Sequence, residues 1–130
     1  EAVGELSDFP VVVMGGTNPG HTTDAVAIRL AVQFEAAKCI IATNVAKVHS
    51  EDPRENPDAE SFDKLTLSEL QDIVGPPDHA DAGSSKVVDP VGVGEARENG
   101  LPLDVLDGRD PRRISSSING EDFEGTMVTP

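Results

Sequence analysis

A chain of 130 residues suits one domain, or part of one larger α/β domain. Its 24 acidic residues against 10 basic ones leave a formal charge of −14, which argues against nucleic acid as a partner because a phosphate backbone would be repelled. With 37% hydrophobic residues, four Phe and neither Trp nor Tyr, the core must rest on Val, Ile, Leu and Ala.

The acids (Asp52, Glu55, Asp58, Glu60, Asp63, Asp78, Asp81, Glu95, Glu98 and Asp104 among them) are dispersed, not gathered into a tail. High charge with few aromatics favours disorder. Regular apolar strands and capped helices favour folding, so the composition reads as the surface of a halophilic protein, whose self-repulsion concentrated salt screens. Sparse lysine (Lys38, Lys47, Lys64, Lys86) agrees. No apolar stretch approaches membrane-spanning length and no secretory leader is visible, so no membrane partner and a cytoplasmic setting are expected. Cys39, alone in an apolar run, reads as a buried, inert thiol.

In chain order, Ala2, Val3 and Leu6 read as the tail of an amphipathic helix. Val11-Val12-Val13-Met14 reads as a strand feeding the loop Gly15-Gly16-Thr17-Asn18-Pro19-Gly20-His21-Thr22-Thr23-Asp24. Pro19-Gly20 sets a turn, and Thr22 or Thr23 can cap the helix expected from Thr23 to Ala37. That helix should turn Val26, Ala27, Leu30, Ala31 and Phe34 inward. Lys38 to Thr43 reads as a short buried strand, and Ser50 to Asp63 as an irregular acidic excursion. Thr66-Leu67-Ser68-Glu69 is a capping box for a helix reaching Val74, and Gly75 to Ser85 is a loop. Asp89-Pro90 opens another helix that Gly100 stops. Leu101 to Leu106 is a strand, Asp110-Pro111 starts a helix ended by Gly120, and Met127 to Thr129 reads as an edge strand. The alternation predicts an α/β fold, a mainly parallel sheet with helices on both faces. Ligands of such sheets lie beyond the strands' carboxyl ends, where Gly15, Thr43 and Asp107 fall.

The glycine loop is the most informative segment. Adjacent glycines allow close backbone approach, and a helix start with free amides and hydroxyls favours an anion such as phosphate. Gly15 to Thr22 matches a Walker A element except that His21 stands where its lysine belongs, and a mostly neutral imidazole is a poor substitute. The three histidines are too dispersed for a metal cluster, and no metal site is assigned; His79, between Asp78 and Asp81, reads as part of a solvated loop. Arg109, Arg112 and Arg113 read as helix-end charges or salt-bridge partners.

The segment Gly15 to Val26 resembles the signature loop of archaeal uridylate (UMP) kinases, within the amino acid kinase superfamily. Ile40-Ile41-Ala42-Thr43-Asn44-Val45, Ser50-Glu51-Asp52-Pro53, Phe62-Asp63-Lys64-Leu65-Thr66 and Glu69-Leu70 follow in the order of that family's second half. Val88-Asp89-Pro90, Leu106-Asp107-Gly108-Arg109 and Gly125-Thr126 continue the match.

The resemblance implies transfer of the γ-phosphoryl of ATP to UMP with Mg2+, largely by positioning and charge neutralisation. It implies UMP contacts from Thr17, Asn18, Pro19, Gly20, His21, Thr22 and Thr23, and ATP contacts from Thr43, Asn44, His49 and Asp52. It implies a homo-oligomer, a hexamer. The family is about twice as long and opens on a strand and a glycine-rich turn carrying a phosphate-binding lysine. Residues 1–130 are therefore expected to be the nucleotide-binding C-terminal half, inactive alone, with the N-terminal half absent and no catalytic residue assigned here. Ala46-Lys47 stands where the family has Asp-Gly, and His49 where it has Tyr. Asp24 reads as a helix-start or loop-ordering group. The alternatives are another kinase of the superfamily, or a non-catalytic nucleotide- or oxyanion-binding protein.

Overall fold

The computed structural model describes residues 10–15, 21–78 and 87–130. Thr22 is the N-cap of helix α1 (Thr23–Gln33), its hydroxyl accepting the Ala25 N–H at 3.2 Å. The helix ends at Gln33, short of Ala37. Glu35 takes φ 51°, and the Ala36 N–H then reaches back to the Ala31 carbonyl at 2.9 Å. This is a left-handed stop made without glycine, which helix-favouring Glu and Ala residues do not signal. Of the expected inward stripe, Ala27 and Ala31 pack against the core, but the buried positions are Ala25 and Ile28, and Phe34 is 37% exposed.

Strand β1 (Cys39–Thr43) follows. Strands β2 (Val48–His49) and β3 (Ser61–Phe62) form an antiparallel hairpin, so the excursion after Ser50 ends in a strand instead of staying irregular throughout. Strand β4 (Lys64–Thr66) runs into helix α2 (Leu67–Val74) through the expected capping box. The Thr66 hydroxyl accepts the Glu69 N–H at 3.2 Å, and the Glu69 carboxylate accepts the Thr66 N–H at 2.7 Å. Helix α3 (Pro90–Asn99) starts at N-cap Asp89, strand β5 is Leu103–Asp107, and helix α4 (Pro111–Asn119) starts at N-cap Asp110. Gly100 and Gly120 close α3 and α4 in the left-handed region, φ 63° and 72°. Strand β6 is Gly125–Thr129.

The main sheet has the order β1-β5-β6-β4. β1 pairs parallel with β5, from Cys39 opposite Leu103 to Thr43 opposite Asp107, and β4 pairs parallel with β6. β5 and β6 are antiparallel. The sheet is thus mainly parallel, but β6 is interior where an edge strand was expected. Its Thr126 and Val128 are fully buried, and the Thr126 hydroxyl donates to the Phe62 carbonyl at 2.6 Å while accepting the Val48 N–H at 2.9 Å. β6 is interior because it pairs with both β4 and β5, and its Thr126 hydroxyl also fixes the hairpin to the sheet.

The expected strand Val11–Met14 does not form. Among the described residues nothing pairs with it, and Val11 and Val13 are 76% and 92% exposed. Its β-branched side chains suit a strand, but propensity makes none without a neighbouring ladder.

Alternation along β5 shows the layers. Leu103 and Val105 join Ile28 of α1, Leu70 of α2 and Val93 of α3 in one core. Asp104 points to the other face, where the Ser117 hydroxyl of α4 donates to it at 2.6 Å and Lys38 Nζ lies 2.6 Å away. Helices therefore cover both faces. Asp104, read from sequence among the dispersed acids, is 3% exposed; a charge this deep requires such partners. Cys39 is buried, which pushes its thiol up to about 11. Among the described residues no helix is long and apolar enough to cross a membrane.

Candidate functional site

β1 and β5 run parallel, so their carboxyl ends lie side by side. The Gly108 N–H donates to the Thr43 carbonyl at 2.9 Å, and the Arg109 guanidinium donates to the Asn44 carbonyl at 3.2 Å. Arg109 also grips Asp107, Nε to Oδ1 at 2.9 Å. Those hydrogen bonds hold the Asp107 carboxyl down at about 2. The two strand ends are thus stitched into one rim.

Past Thr43 the chain bends through residues 44–47 into β2, then leaves along residues 50–54. Together with the last turn of α2 and Val87, it encloses a cleft of about 460 Å³. That size suits a small-molecule ligand. Thr43, Asn44, His49 and Asp52, the residues expected to contact ATP, all line it. With its proton on Nδ1, His49 donates to the Lys47 carbonyl at 2.9 Å, which orients the ring. Asp52 accepts from Arg54 through Nε at 3.0 Å and through Nη2 at 2.7 Å. The guanidinium and backbone hydrogen bonds of Arg54 hold that carboxyl down at about 2.

Sequence reasoning missed Arg54 and the apolar wall of Ile73, Val74 and Val87. A signal for Arg54 was present. Asp-x-Arg occurs at Asp52-Pro53-Arg54, Asp107-Gly108-Arg109 and Asp110-Pro111-Arg112. Each time the aspartate accepts the arginine's own N–H, at 2.9, 3.0 and 3.1 Å, and then binds its guanidinium. This is an Asx turn closed by an ion pair. The wall had no such signal, because residues far apart in the chain build it.

The second expected cluster lies at the start of α1. Thr17, Asn18, Pro19 and Gly20 fall outside the described residues, as do Gly16 and His79. His21, Thr22 and Thr23 are exposed. The Thr22 hydroxyl donates to Asp89, whose carboxylate also caps α3 through the Val91 N–H at 2.9 Å. Asp24 accepts the Asp89 N–H at 3.3 Å, and burial raises its carboxyl above the usual range. Asp24 therefore joins the start of α1 to the start of α3. Because α1 returns the chain to the beginning of β1, its own start lies toward the carboxyl ends of the strands, the end that bears the cleft. The arginine cluster is engaged in ion pairs: Arg112 with Asp110, and Arg113 with Glu124 at 2.7 Å and with Asp107 at 3.8 Å.

A parallel-strand cleft and a hydroxyl-bearing helix start, in a chain whose residues 3–107 match the amino acid kinase family model, fix the class: the chain belongs to the amino acid kinase family. Within it the similarity is to uridylate kinases. The chain is 47% identical over 120 residues to uridylate kinase of Natronomonas pharaonis, covering 92% of this chain and 52% of that protein. It is 40% identical over 126 residues to uridylate kinase of Pyrococcus abyssi, covering 97% and 54%. The crystal structure of uridylate kinase from Archaeoglobus fulgidus superposes with a TM-score of 0.84 at 35% identity, covering 98% of this chain and 56% of that one. The chain spans about half the length of the curated relatives it matches.

Proposed function

We propose that this chain is the nucleotide-binding C-terminal half of a uridylate kinase, which transfers the γ-phosphoryl of ATP to UMP and yields UDP for pyrimidine nucleotide synthesis. The observation that carries the reading is the cleft at the end of β1, which gathers Thr43, Asn44, His49 and Asp52 on one lining. In this reading the apolar wall of Ile73, Val74 and Val87 takes the adenine, with the His49 ring beside it. Asp52 and Thr43 supply polar contacts to the ribose. The start of α1, with Thr17 to Thr23, takes UMP and orients its phosphate. Mg2+ enters with ATP as its counter-ion. Charge neutralisation at the transferring phosphoryl falls to a lysine turn that residues 1–130 do not contain, so the chain alone binds nucleotide without turning it over. The complete protein works in the cytoplasm as a homo-oligomer, a hexamer, and the −14 charge supports a salt-adapted host.

The test is calorimetric titration of the chain with ATP and with UMP in molar potassium chloride, alongside a coupled assay for UDP. Saturable ATP binding without UDP formation is expected. Robust UDP formation by residues 1–130 refutes the half-enzyme reading, and absence of ATP binding refutes the cleft assignment.

A further inference from the structure

Two cations line the cleft among the described residues, and they are held differently. Arg54 is bound to Asp52 through Nε and Nη2 of its guanidinium and through its own backbone N–H. Moving the guanidinium, itself 72% exposed, would give up a two-point clasp on Asp52, whose side chain is only 28% exposed, while the backbone hydrogen bond would stay. Among the described residues Lys47 has one ion-pair partner, the Asp63 carboxylate in the link between β3 and β4. The Asp63 side chain is 79% exposed, that of Lys47 only 27%. A pair whose acid stands in water is a weak tether. Lys47 is therefore the lining cation that can leave its partner at little cost, and its ammonium is a flexible point charge suited to phosphate.

We propose that Lys47 is a phosphate ligand of this cleft, kept neutralised by Asp63 while the cleft is empty and transferred to the nucleotide's polyphosphate on binding. The inference rests on the nucleotide reading of the cleft and adds to it a residue at a position where the family resemblance implies glycine. In a chain of charge −14, a polyanion entering the cleft meets net repulsion. An ammonium that exchanges one acid partner for another offsets that repulsion locally, and no second group need be desolvated. Asp63 competes with the ligand, so it sets the affinity from outside the contact surface.

Equilibrium titrations with ATP and with adenosine, which shares the base and ribose but has no phosphate, test this. Lys47→Met keeps the stem and removes the charge. It should weaken ATP binding by about tenfold, as expected for one charge-assisted contact, and leave adenosine unchanged. Asp63→Asn removes the competitor and should tighten ATP severalfold, again without effect on adenosine. The exchanged pair Lys47→Asp with Asp63→Lys should melt with the native protein, since the ion pair is restored, yet bind ATP worse than the native protein does. Equal shifts for ATP and adenosine, or full ATP affinity in the exchanged pair, would mean that Lys47 only pins the hairpin. Native affinity for both ligands in Lys47→Met overturns the proposal while leaving the cleft assignment intact. A native protein that binds neither ligand overturns both.

Discussion

Gly108 sits where β5 hands over to the rim of the cleft, and its close approach to β1 makes it a sensitive probe of the site. A Cβ added there would stand 2.7 Å from Ala42 Cβ and 3.5 Å from Ala42 Cα. Methyl groups rest at about 3.5–4.0 Å, so β1 and the turn must separate by roughly 1 Å. The Gly108 N–H to Thr43 carbonyl bond, 2.9 Å long, spans this same gap and would be broken. A lost backbone hydrogen bond costs about 1 kcal/mol and overpacking about 1–3, so Gly108→Ala should destabilise by roughly 2–4 kcal/mol. For a chain of this size that lowers the melting temperature by roughly 6–16 °C. Ala42→Gly removes the opposing methyl and should cost only about 0.5–1 kcal/mol by itself. In the double variant the clash is gone, so the two changes together should be less harmful than Gly108→Ala alone. Denaturant melts of the four proteins form the cycle. ATP titration should show Gly108→Ala weakening binding through the displaced Thr43. A Gly108→Ala protein within 0.5 kcal/mol of native, a threshold at the usual limit of additivity, or a cycle without coupling would refute the packing argument.

Thr126→Val keeps shape but strands the Val48 N–H and the Phe62 carbonyl, so a loss of roughly 2–4 kcal/mol in urea melts is expected, with hydrogen exchange rising first in the β2–β3 hairpin. Thr66→Ala removes the cap of α2 and should cost about 1 kcal/mol, seen as an earlier thermal transition. Asp107 has a folded pKa depressed to about 2 against an unfolded value near 3.9, so its contribution is present above pH ~4 and is lost as pH falls through ~2. Asp107→Asn should flatten the stability profile across that window, and an unchanged slope would show that the Arg109 clasp contributes nothing. Circular dichroism should show a loosened fold in dilute buffer and a cooperative melt in molar potassium chloride, where screening acts over about 3 Å. Equal stability at both extremes would count against the halophilic reading.

How much could be read in advance follows from the range of the interaction concerned. Caps act over three or four residues, and Thr22, Thr66, Asp89, Asp110, Gly100 and Gly120 all sit where the sequence placed them. Thr43, Asn44, His49 and Asp52, named through the family resemblance, share one cleft lining because they end β1 or follow it in one stretch of chain. The failures depend on neighbours that a linear pattern cannot name. Glu35 ends α1 in a left-handed turn that its own side chain does not favour, and β6 is interior because it pairs with β5 on one side and β4, distant in sequence, on the other. Val11–Met14 has the composition of a strand, but among the described residues no ladder joins it.

Charge shows the same division and bears directly on the site. Asp104 and Asp63 are both acids in an acid-rich sequence, yet one is buried between Lys38 and Ser117 while the other stands in water beside Lys47. The buried acid cannot release its lysine, because an unpaired carboxylate at that depth would cost several kcal/mol. The exposed acid can, because water replaces the lysine at almost no cost. Of two ion pairs that composition cannot tell apart, one therefore locks α4 onto the sheet and the other leaves a cation free to exchange at the mouth of the cleft. A chain dominated by acids does not bind anions through its net charge. On the proposal made above, it would bind them where an ammonium is held by its weakest partner, and among the lining residues that place is Lys47.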